Sequence, residues 1–169
     1  MKLALNIAIS LTCLSIAGAG LAQISNAPKP TITVLAKDFD VANSQNVALG
    51  GPSNTYGADV LLNAPPYGDV PNRAYFRFIV PKGRGGAYQL DAEYAAMVSR
   101  PVYINLNGVP LRNKLSATTG CWQVTCQQIV TQGSVTLKEG VNSMTVYRSS
   151  VFPHIRKFIF RAPPQKNPN

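Results

Sequence analysis

The stretch RPVYINLNG, residues 100–108, is typical of a half-buried β-strand that ends in a turn. Val102, Ile104 and Leu106 alternate with polar or aromatic residues, so one face of the strand is apolar and the other is not. The final Asn-Gly dipeptide favours a tight turn between two strands. This stretch therefore predicts a sheet that covers a core with one of its faces.

The rest of the chain repeats this organisation. Gly, Pro and Asn punctuate short apolar segments, and no segment sustains helical periodicity. The sequence predicts an all-β fold, a single β-sandwich of about nine strands. The predicted strands cover residues 31–36, 58–62, 74–80, 87–95, 101–106, 123–130, 134–137, 142–148 and 155–160.

The first residues have the features of an export signal. Lys2 precedes an apolar run that ends near Ala17, and Gly20-Leu21-Ala22 has the small-x-small form of a cleavage site. The run is shorter than the roughly 20 apolar residues of a transmembrane helix. We therefore expect a signal peptide at 1–22, loose tails at 23–30 and 162–169, a sandwich domain at 31–161, and a protein that is secreted or periplasmic.

Two cysteines remain once Cys13 leaves with the signal peptide. In an oxidising compartment, a disulfide between Cys121 and Cys126 is the default expectation. Five residue steps of extended chain span about 16 Å, whereas bridged Cα atoms lie within about 7 Å, so the chain must bend here. Trp122 would then lie on a stapled loop, and the alternative is two buried free thiols.

The charge balance is basic, with 16 Lys and Arg against 7 Asp and Glu and a net charge of +9. An anionic partner is therefore a candidate, whether acidic polysaccharide, lipopolysaccharide or nucleic acid. The basic residues are dispersed, and no nucleic-acid-binding signature accompanies them, so we expect no specific nucleic-acid partner. Solubility alone explains basic residues dispersed in this way, and no specific binding site is required.

Catalysis has little support in the sequence. The chain has one histidine, and no His or Cys spacing suits zinc. Asp91 and Glu93 share one strand face, and such a pair can serve as acid and base in a glycosidase. Solvated surface is the more common role of two such carboxylates. We therefore predict no catalytic residues, no metal site and no enzyme, with a glycan-processing enzyme as a remote alternative.

Several short motifs, taken in order, resemble one known family. They are GAYQL at 86–90, the Asn-Gly turn at 107–108, TGCW at 119–122, LKEGVN at 137–142 and HIR at 154–156. The order resembles the closing half of carbohydrate-binding modules of families 6 and 35, which are galactose-binding-like β-sandwiches. The resemblance implies a jelly-roll fold and non-catalytic binding of carbohydrate.

The resemblance also implies candidate ligand contacts at the loop end of the sandwich. Tyr56, Trp122 and His154 lie where these modules place two loop aromatics and a final-loop polar residue. Arg100 has the chemistry to hold a uronate carboxylate with two hydrogen bonds. Each has a plainer alternative: a rim or core tryptophan, an ordinary loop tyrosine, a structural histidine and a solvated arginine.

Modules of this type commonly hold a structural calcium ion with an early Glu and a final-loop Asp. At the matching positions this chain has Lys37 and Arg156. Calcium needs several anionic or carbonyl oxygens, so two cations in that shell would repel it. We therefore predict that the calcium site is lost and that the chain has no cofactor.

A second polar and aromatic surface is conceivable. Tyr75, Arg77 and Ile79 share one face of their predicted strand, and Tyr103 and Asn105 share the outward face of theirs. If these strands are neighbours, these side chains form a flat patch. A face covered by loops or by another sheet is at least as plausible.

These observations predict an exported, non-catalytic module that recognises a glycan through loop aromatics, with acidic polysaccharide among the candidate ligands. The alternative is a structural or protein-interaction sandwich of the cell envelope that has lost sugar binding. The sequence leaves both open.

Overall fold

A computed structural model describes residues 29–51, 55–65 and 70–163 of the chain. The predicted signal peptide lies outside the described residues, as do most of the two predicted tails. In the part of the chain that the structure describes, no helix is long and apolar enough to cross a membrane.

Ten strands and three single-turn 3₁₀ helices make up the described chain. The 3₁₀ helices cover Ala36–Asp38, Val41–Asn43 and Val124–Cys126. The strands are β1 Ile32–Leu35, β2 Val47–Leu49, β3 Leu61–Asn63, β4 Asn72–Val80, β5 Gly86–Ala95, β6 Val102–Leu106, β7 Val109–Lys114, β8 Gln128–Leu137, β9 Gly140–Arg148 and β10 His154–Arg161.

The strands form two antiparallel sheets. The six-stranded sheet has the order β2-β3-β10-β5-β8, with β1 also paired to β10. The four-stranded sheet has the order β4-β9-β6-β7. This arrangement confirms the predicted all-β sandwich.

The core lies between the inner faces of the two sheets. Phe76 of the four-stranded sheet meets Phe158 of the other edge to face, with ring centroids 5.7 Å apart, and Phe78 stacks on Phe160 at 5.1 Å. Full burial of one such side chain stabilises the fold by about 1.5 to 3 kcal/mol. The alternation predicted for the strand near Val102 is confirmed, because the residues at 102, 104 and 106 are buried.

The predicted turn at residues 107–108 is confirmed and leads into a strand that the sequence pattern did not indicate. Asn107 and Gly108 both have positive φ, 53° and 88°, as a tight hairpin turn requires. The chain returns as β7, paired with β6. Its sequence, VPLRNK, lacks clear alternation, and hairpin pairing rather than local propensity makes it a strand.

Two predicted strands are in fact one, and the short β2 was not predicted. Residues 128–137 form the single strand β8, and residues 123–127 belong to the preceding loop. Gly133, interpreted as a turn signal, has φ 107° and lies at a β-bulge, where the register with β5 shifts between Leu90 and Asp91. A glycine signal in sequence does not distinguish a bulge from a turn.

Candidate functional site

The structure brings together the four residues predicted to contact ligand, although they come from four separate parts of the chain. Tyr56 lies in the β2–β3 connection, Arg100 in the β5–β6 connection, Trp122 in the β7–β8 connection, and His154 begins β10. We call these four residues the loop cluster. Antiparallel strands place these connections at one end of the sandwich, so residues distant in sequence become neighbours.

The contacts within the loop cluster form a continuous chain. The Tyr56 and His154 ring centroids are 4.4 Å apart, and those of Trp122 and His154 are 5.0 Å apart. The guanidinium carbon of Arg100 lies 3.8 Å from the Trp122 ring centroid, a cation–π distance. Tyr56, Trp122 and Arg100 are partly exposed, whereas His154 is buried.

The predicted disulfide is confirmed and shapes the loop that carries Trp122. The Cα atoms of Cys121 and Cys126 are 5.6 Å apart, which requires the bend expected from the sequence. Within this bend, the backbone N–H of Val124 donates to the carbonyl of Thr55 at 3.1 Å. The stapled loop is thereby joined to the connection that holds Tyr56.

Close backbone packing fixes the Tyr56 connection from its other side. A Cβ atom added at Gly50 would lie 2.2 Å from the carbonyl oxygen of Gly57. Gly50 also donates its N–H to the carbonyl of Val60 at 2.9 Å. Only glycine fits this approach, so Gly50 is a structural requirement of the site.

His154 is held as a neutral ring that supports its neighbours. Its Nδ1 lies 2.8 Å from the carbonyl oxygen of Trp122, and because a carbonyl can only accept, Nδ1 carries the proton. Burial lowers the pKa of His154, and the Arg100 charge lowers it further, although the hydrogen bond to Trp122 acts in the opposite direction. The neutral ring therefore has its acceptor at Nε2.

Arg100 is oriented but keeps hydrogen-bonding capacity. Its Nη1 donates to the carbonyl of Phe152 at 2.8 Å. Burial lowers the pKa of Arg100, and the nearby charge of Arg148 lowers it further. A guanidinium has five N–H groups, so most of its donors are not used by the Phe152 bond. An anion beside Arg100 would relieve the repulsion between the two cations.

The structure corrects the expectation that Asp91 and Glu93 are solvated surface. Both lie on the outer face of β5, yet Asp91 is fully buried and Glu93 is 8% exposed. Arg161 pairs with Asp91 at 2.5 Å, and Lys157 pairs with Glu93 at 2.6 Å. The long cationic side chains of β10 cover the two carboxylates, which are engaged in ion pairs.

The residues at the calcium position do not fit a calcium ion. Arg156 donates from Nε to Asp59 at 2.9 Å and from Nη1 to Glu93 at 3.2 Å. The bond from Arg156 lowers the pKa of Asp59, and the Lys37 charge contributes in the same direction. The two positions that the resemblance assigns to calcium ligands thus carry cations, which would repel the ion. Across residues 29–51, 55–65 and 70–163, no three His, Cys, Asp or Glu side chains cluster as metal ligands.

The sequence pattern missed one residue that helps to build the loop cluster. Gln127 donates from Nε2 to the carbonyl of His154 at 3.1 Å, which ties the stapled loop to β10. Gln127 and His154 are 27 positions apart, and no sequence motif indicates that they are in contact. The supposed neighbours of the second polar surface are also corrected: β4 and β6 do not pair, because β9 lies between them.

Comparison with known proteins yields structural matches only. No protein-family model matches the chain, and a search of curated proteins finds no match. Among solved structures, a CBM35 from Paenibacillus barcinonensis matches with a TM-score of 0.61 and 17% identity, over 78% of this chain and 99% of that one. The chain shares the fold of carbohydrate-binding modules.

Two further structures support this statement. A family 35 carbohydrate-binding module from Clostridium thermocellum matches with a TM-score of 0.59 and 21% identity, over 79% of this chain and 99% of that one. The C-terminal CBM6 of a marine laminarinase from Zobellia galactanivorans matches with a TM-score of 0.59 and 19% identity, over 79% and 100%. The resemblance found in the motifs is thus confirmed for the fold.

Proposed function

We propose that the protein is an exported, non-catalytic carbohydrate-binding module whose ligand contacts the loop cluster. The observation that carries this proposal is the continuous contact of Tyr56, His154, Trp122 and Arg100 at the loop end of a fold found in carbohydrate-binding modules. Partly exposed rings stack on the apolar faces of sugars, and polar groups beside them select hydroxyl and carboxylate positions. The disulfide supports export, because such bonds persist in oxidising compartments.

Within this site, Arg100 favours a sugar that carries a carboxylate. The Trp122 ring and the Phe152 carbonyl orient the guanidinium. A preoriented arginine loses little freedom when it binds a carboxylate through two hydrogen bonds. Arg148 adds a second positive charge near Arg100. We therefore propose that the site prefers a uronic acid to a neutral sugar.

Binding to an array of neutral and acidic glycans, at low and moderate salt, tests this function. We expect Trp122→Ala to weaken binding at least about tenfold, or about 1.4 kcal/mol, because it removes both a stacking ring and the support of Arg100. Thr125→Ala, an exposed position in the same stapled loop, is the matched control. Equal binding by both variants would contradict the proposed site.

An envelope protein partner is the second candidate function. Met97 and Val98, in the connection that also carries Arg100, are 58% and 53% exposed. Two adjacent exposed apolar residues beside the loop cluster suit a protein contact better than a sugar contact. Absence of binding to every glycan, with the fold intact, would favour this candidate.

We also propose that the module works without calcium, since Arg156 already bridges Asp59 and Glu93. The melting temperature is then the same with added calcium and with a chelator. A calcium-dependent rise in melting temperature would refute this part of the proposal.

A further inference from the structure

The connection between β5 and β6 presents two adjacent apolar side chains to solvent. Met97 and Val98 are 58% and 53% exposed, although the residues just before them are buried. Exposed apolar surface is unfavourable in proportion to its area. Single exposed apolar residues are common, whereas apolar residues grouped at the tip of a connection indicate a contact surface. We call this pair the apolar tip.

Hydrogen bonds on both sides of the apolar tip fix it in its exposed position. Before the tip, the N–H of Ala96 donates to Oγ1 of Thr119 at 2.8 Å, and the N–H of Thr119 donates to the carbonyl of Ala96 at 2.7 Å. After the tip, Oγ of Ser99 donates to the carbonyl of Ser116 at 2.6 Å. The exposure of the tip is thus built into the fold, because the chain on either side is tied to the β7–β8 connection.

Three arginines are grouped beside the apolar tip. Arg100 follows in the same connection, and Arg148 donates from Nη1 to the carbonyl of Pro101 at 2.7 Å. Burial lowers the pKa of Arg100 and the charge of Arg148 lowers it further, so these two cations lie close enough to repel each other. Arg112 and Arg148 both line a cavity of about 290 Å³ that Pro101 adjoins. An anion at this position would relieve the repulsion.

The segments around the apolar tip supply no carboxylate to balance these charges. The connections β5–β6, β7–β8 and β9–β10 contain no Asp or Glu. From residue 94 onward the sequence has one carboxylate side chain, Glu139, and it lies between β8 and β9 at the opposite end of the sandwich. Asp59 and Glu93 are paired with cations of β10. The surface beside the tip is therefore positive and complements an anionic partner.

We propose that the apolar tip and its arginines dock the protein on the surface of an anionic phospholipid bilayer. Apolar side chains at a membrane surface enter the boundary between headgroups and acyl chains, and arginines beside them bind lipid phosphates. A protein partner fits this surface less well, because a specific protein interface covers about 800 Å² on each side, far more than two side chains expose. The tip, Arg112 and Arg148 lie outside the loop cluster, so this inference goes beyond the proposed function.

Sedimentation of the protein purified after export, mixed with lipid vesicles, tests this surface. The vesicles contain phosphatidylglycerol and phosphatidylcholine in equal parts, or phosphatidylcholine alone. We expect Met97→Ser/Val98→Ser to weaken binding to the anionic vesicles about tenfold or more. The matched control is Ile79→Ser/Val141→Ser, which removes two exposed apolar residues that lie opposite each other on β4 and β9, at the other end of the sandwich. This control should change binding less than about twofold.

The contribution of the arginines is tested through lipid charge. Binding should be about tenfold tighter or more to the anionic vesicles than to phosphatidylcholine alone, and it should weaken as the salt concentration rises. Arg112→Gln should weaken binding to the anionic vesicles severalfold. Lys138→Gln removes an exposed cation at the opposite end of the sandwich, and should leave binding within about twofold of the unchanged protein.

Other results would overturn the proposal. Absence of vesicle binding by the unchanged protein would do so and would leave the apolar tip to a protein partner. Equal losses in the two apolar double variants, or in Arg112→Gln and Lys138→Gln, would reduce binding to general apolarity or to net charge. Met97→Ser/Val98→Ser should keep its binding to the glycan array, so this inference and the proposed function fail separately. A parallel loss of glycan binding would show that the variant disturbs the whole loop end, which would also overturn the proposal.

Discussion

The outer faces of the two sheets handle charge in opposite ways. On the six-stranded sheet, Asp91 and Glu93 are buried beneath Arg161 and Lys157, and the charges cancel in ion pairs. On the four-stranded sheet, arginines lie beside tyrosines, and the strands supply no carboxylate. The first face is held together by ion pairs, whereas the arginines of the second have no carboxylate partner from their own strands. The net charge of the chain does not reveal this difference, because the basic residues of the two faces are interspersed along the sequence.

The largest expected difference between the faces concerns stability. Arg161→Gln leaves the buried Asp91 with donors only from Thr131 and Gln89. We expect a loss of about 2 kcal/mol in the free energy of unfolding, below the full cost of breaking a buried pair because Arg161 is half exposed. Urea unfolding measures it. The double variant Asp91→Asn/Arg161→Gln should recover part of the loss, and an unchanged single variant would show that the pair is not stabilising.

Removal of the disulfide should affect the loop end of the sandwich rather than the outer face of either sheet. Cys121→Ser/Cys126→Ser should cost about 2 kcal/mol, the loop-closure value for so short a ring. Glycan binding at the loop cluster should weaken as Trp122 loses its position. Urea unfolding measures the loss of stability, and titration calorimetry below the melting temperature of the variant measures glycan binding. Unchanged binding would show that the disulfide does not position Trp122.

A smaller loss of stability is expected as the pH falls, and it comes from His154. His154 is neutral in the folded protein and has a lowered pKa, so the unfolded chain binds its proton first as pH falls. Its contribution to stability is complete above its ordinary pKa of 6.5 and is lost as pH falls through the folded value. Thermal unfolding between neutral and mildly acidic pH should show this loss, and His154→Gln should flatten the profile in that range.

At still lower pH, protonation of Asp91 on the six-stranded face should reduce the stability of the fold. Burial acts to raise the pKa of Asp91, but its three donors outweigh burial, and the net pKa lies below its ordinary value of 3.8. The stability that this carboxylate supplies is therefore present above 3.8 and is lost as pH falls through the folded value. Asp91→Asn should remove this part of the acid dependence.

The smallest effect is expected on the four-stranded face. Arg77 is exposed and forms no ion pair in the structure's described part, so Arg77→Gln should change the free energy of unfolding by less than about 0.5 kcal/mol. Urea unfolding beside Arg161→Gln makes the contrast direct. A large loss at Arg77 would show that the arginines of the four-stranded face also stabilise the fold.

Local patterns were sufficient for most of the fold. Alternation predicted β6, turn residues between short apolar segments predicted β4, β5, β9 and β10, and the Asn-Gly dipeptide predicted the turn after β6. The strands that were predicted wrongly are those whose structure depends on strand pairing rather than on local propensity. The strand β7 follows from its hairpin with β6, and β8 runs unbroken through Gly133 because a bulge absorbs the extra residue.

The sequence by itself determined the sandwich and the stapled loop, whereas the loop cluster was suggested by the resemblance of its motifs to a known family. The first two follow because alternation, turn chemistry and cysteine spacing are local properties of the chain. Only the tertiary structure decided that Asp91 and Glu93 are buried in ion pairs, and that Arg73, Tyr147, Tyr103 and Arg112 form one row across the four-stranded sheet. Both depend on strand order and register, which set the neighbours of residues far apart in sequence.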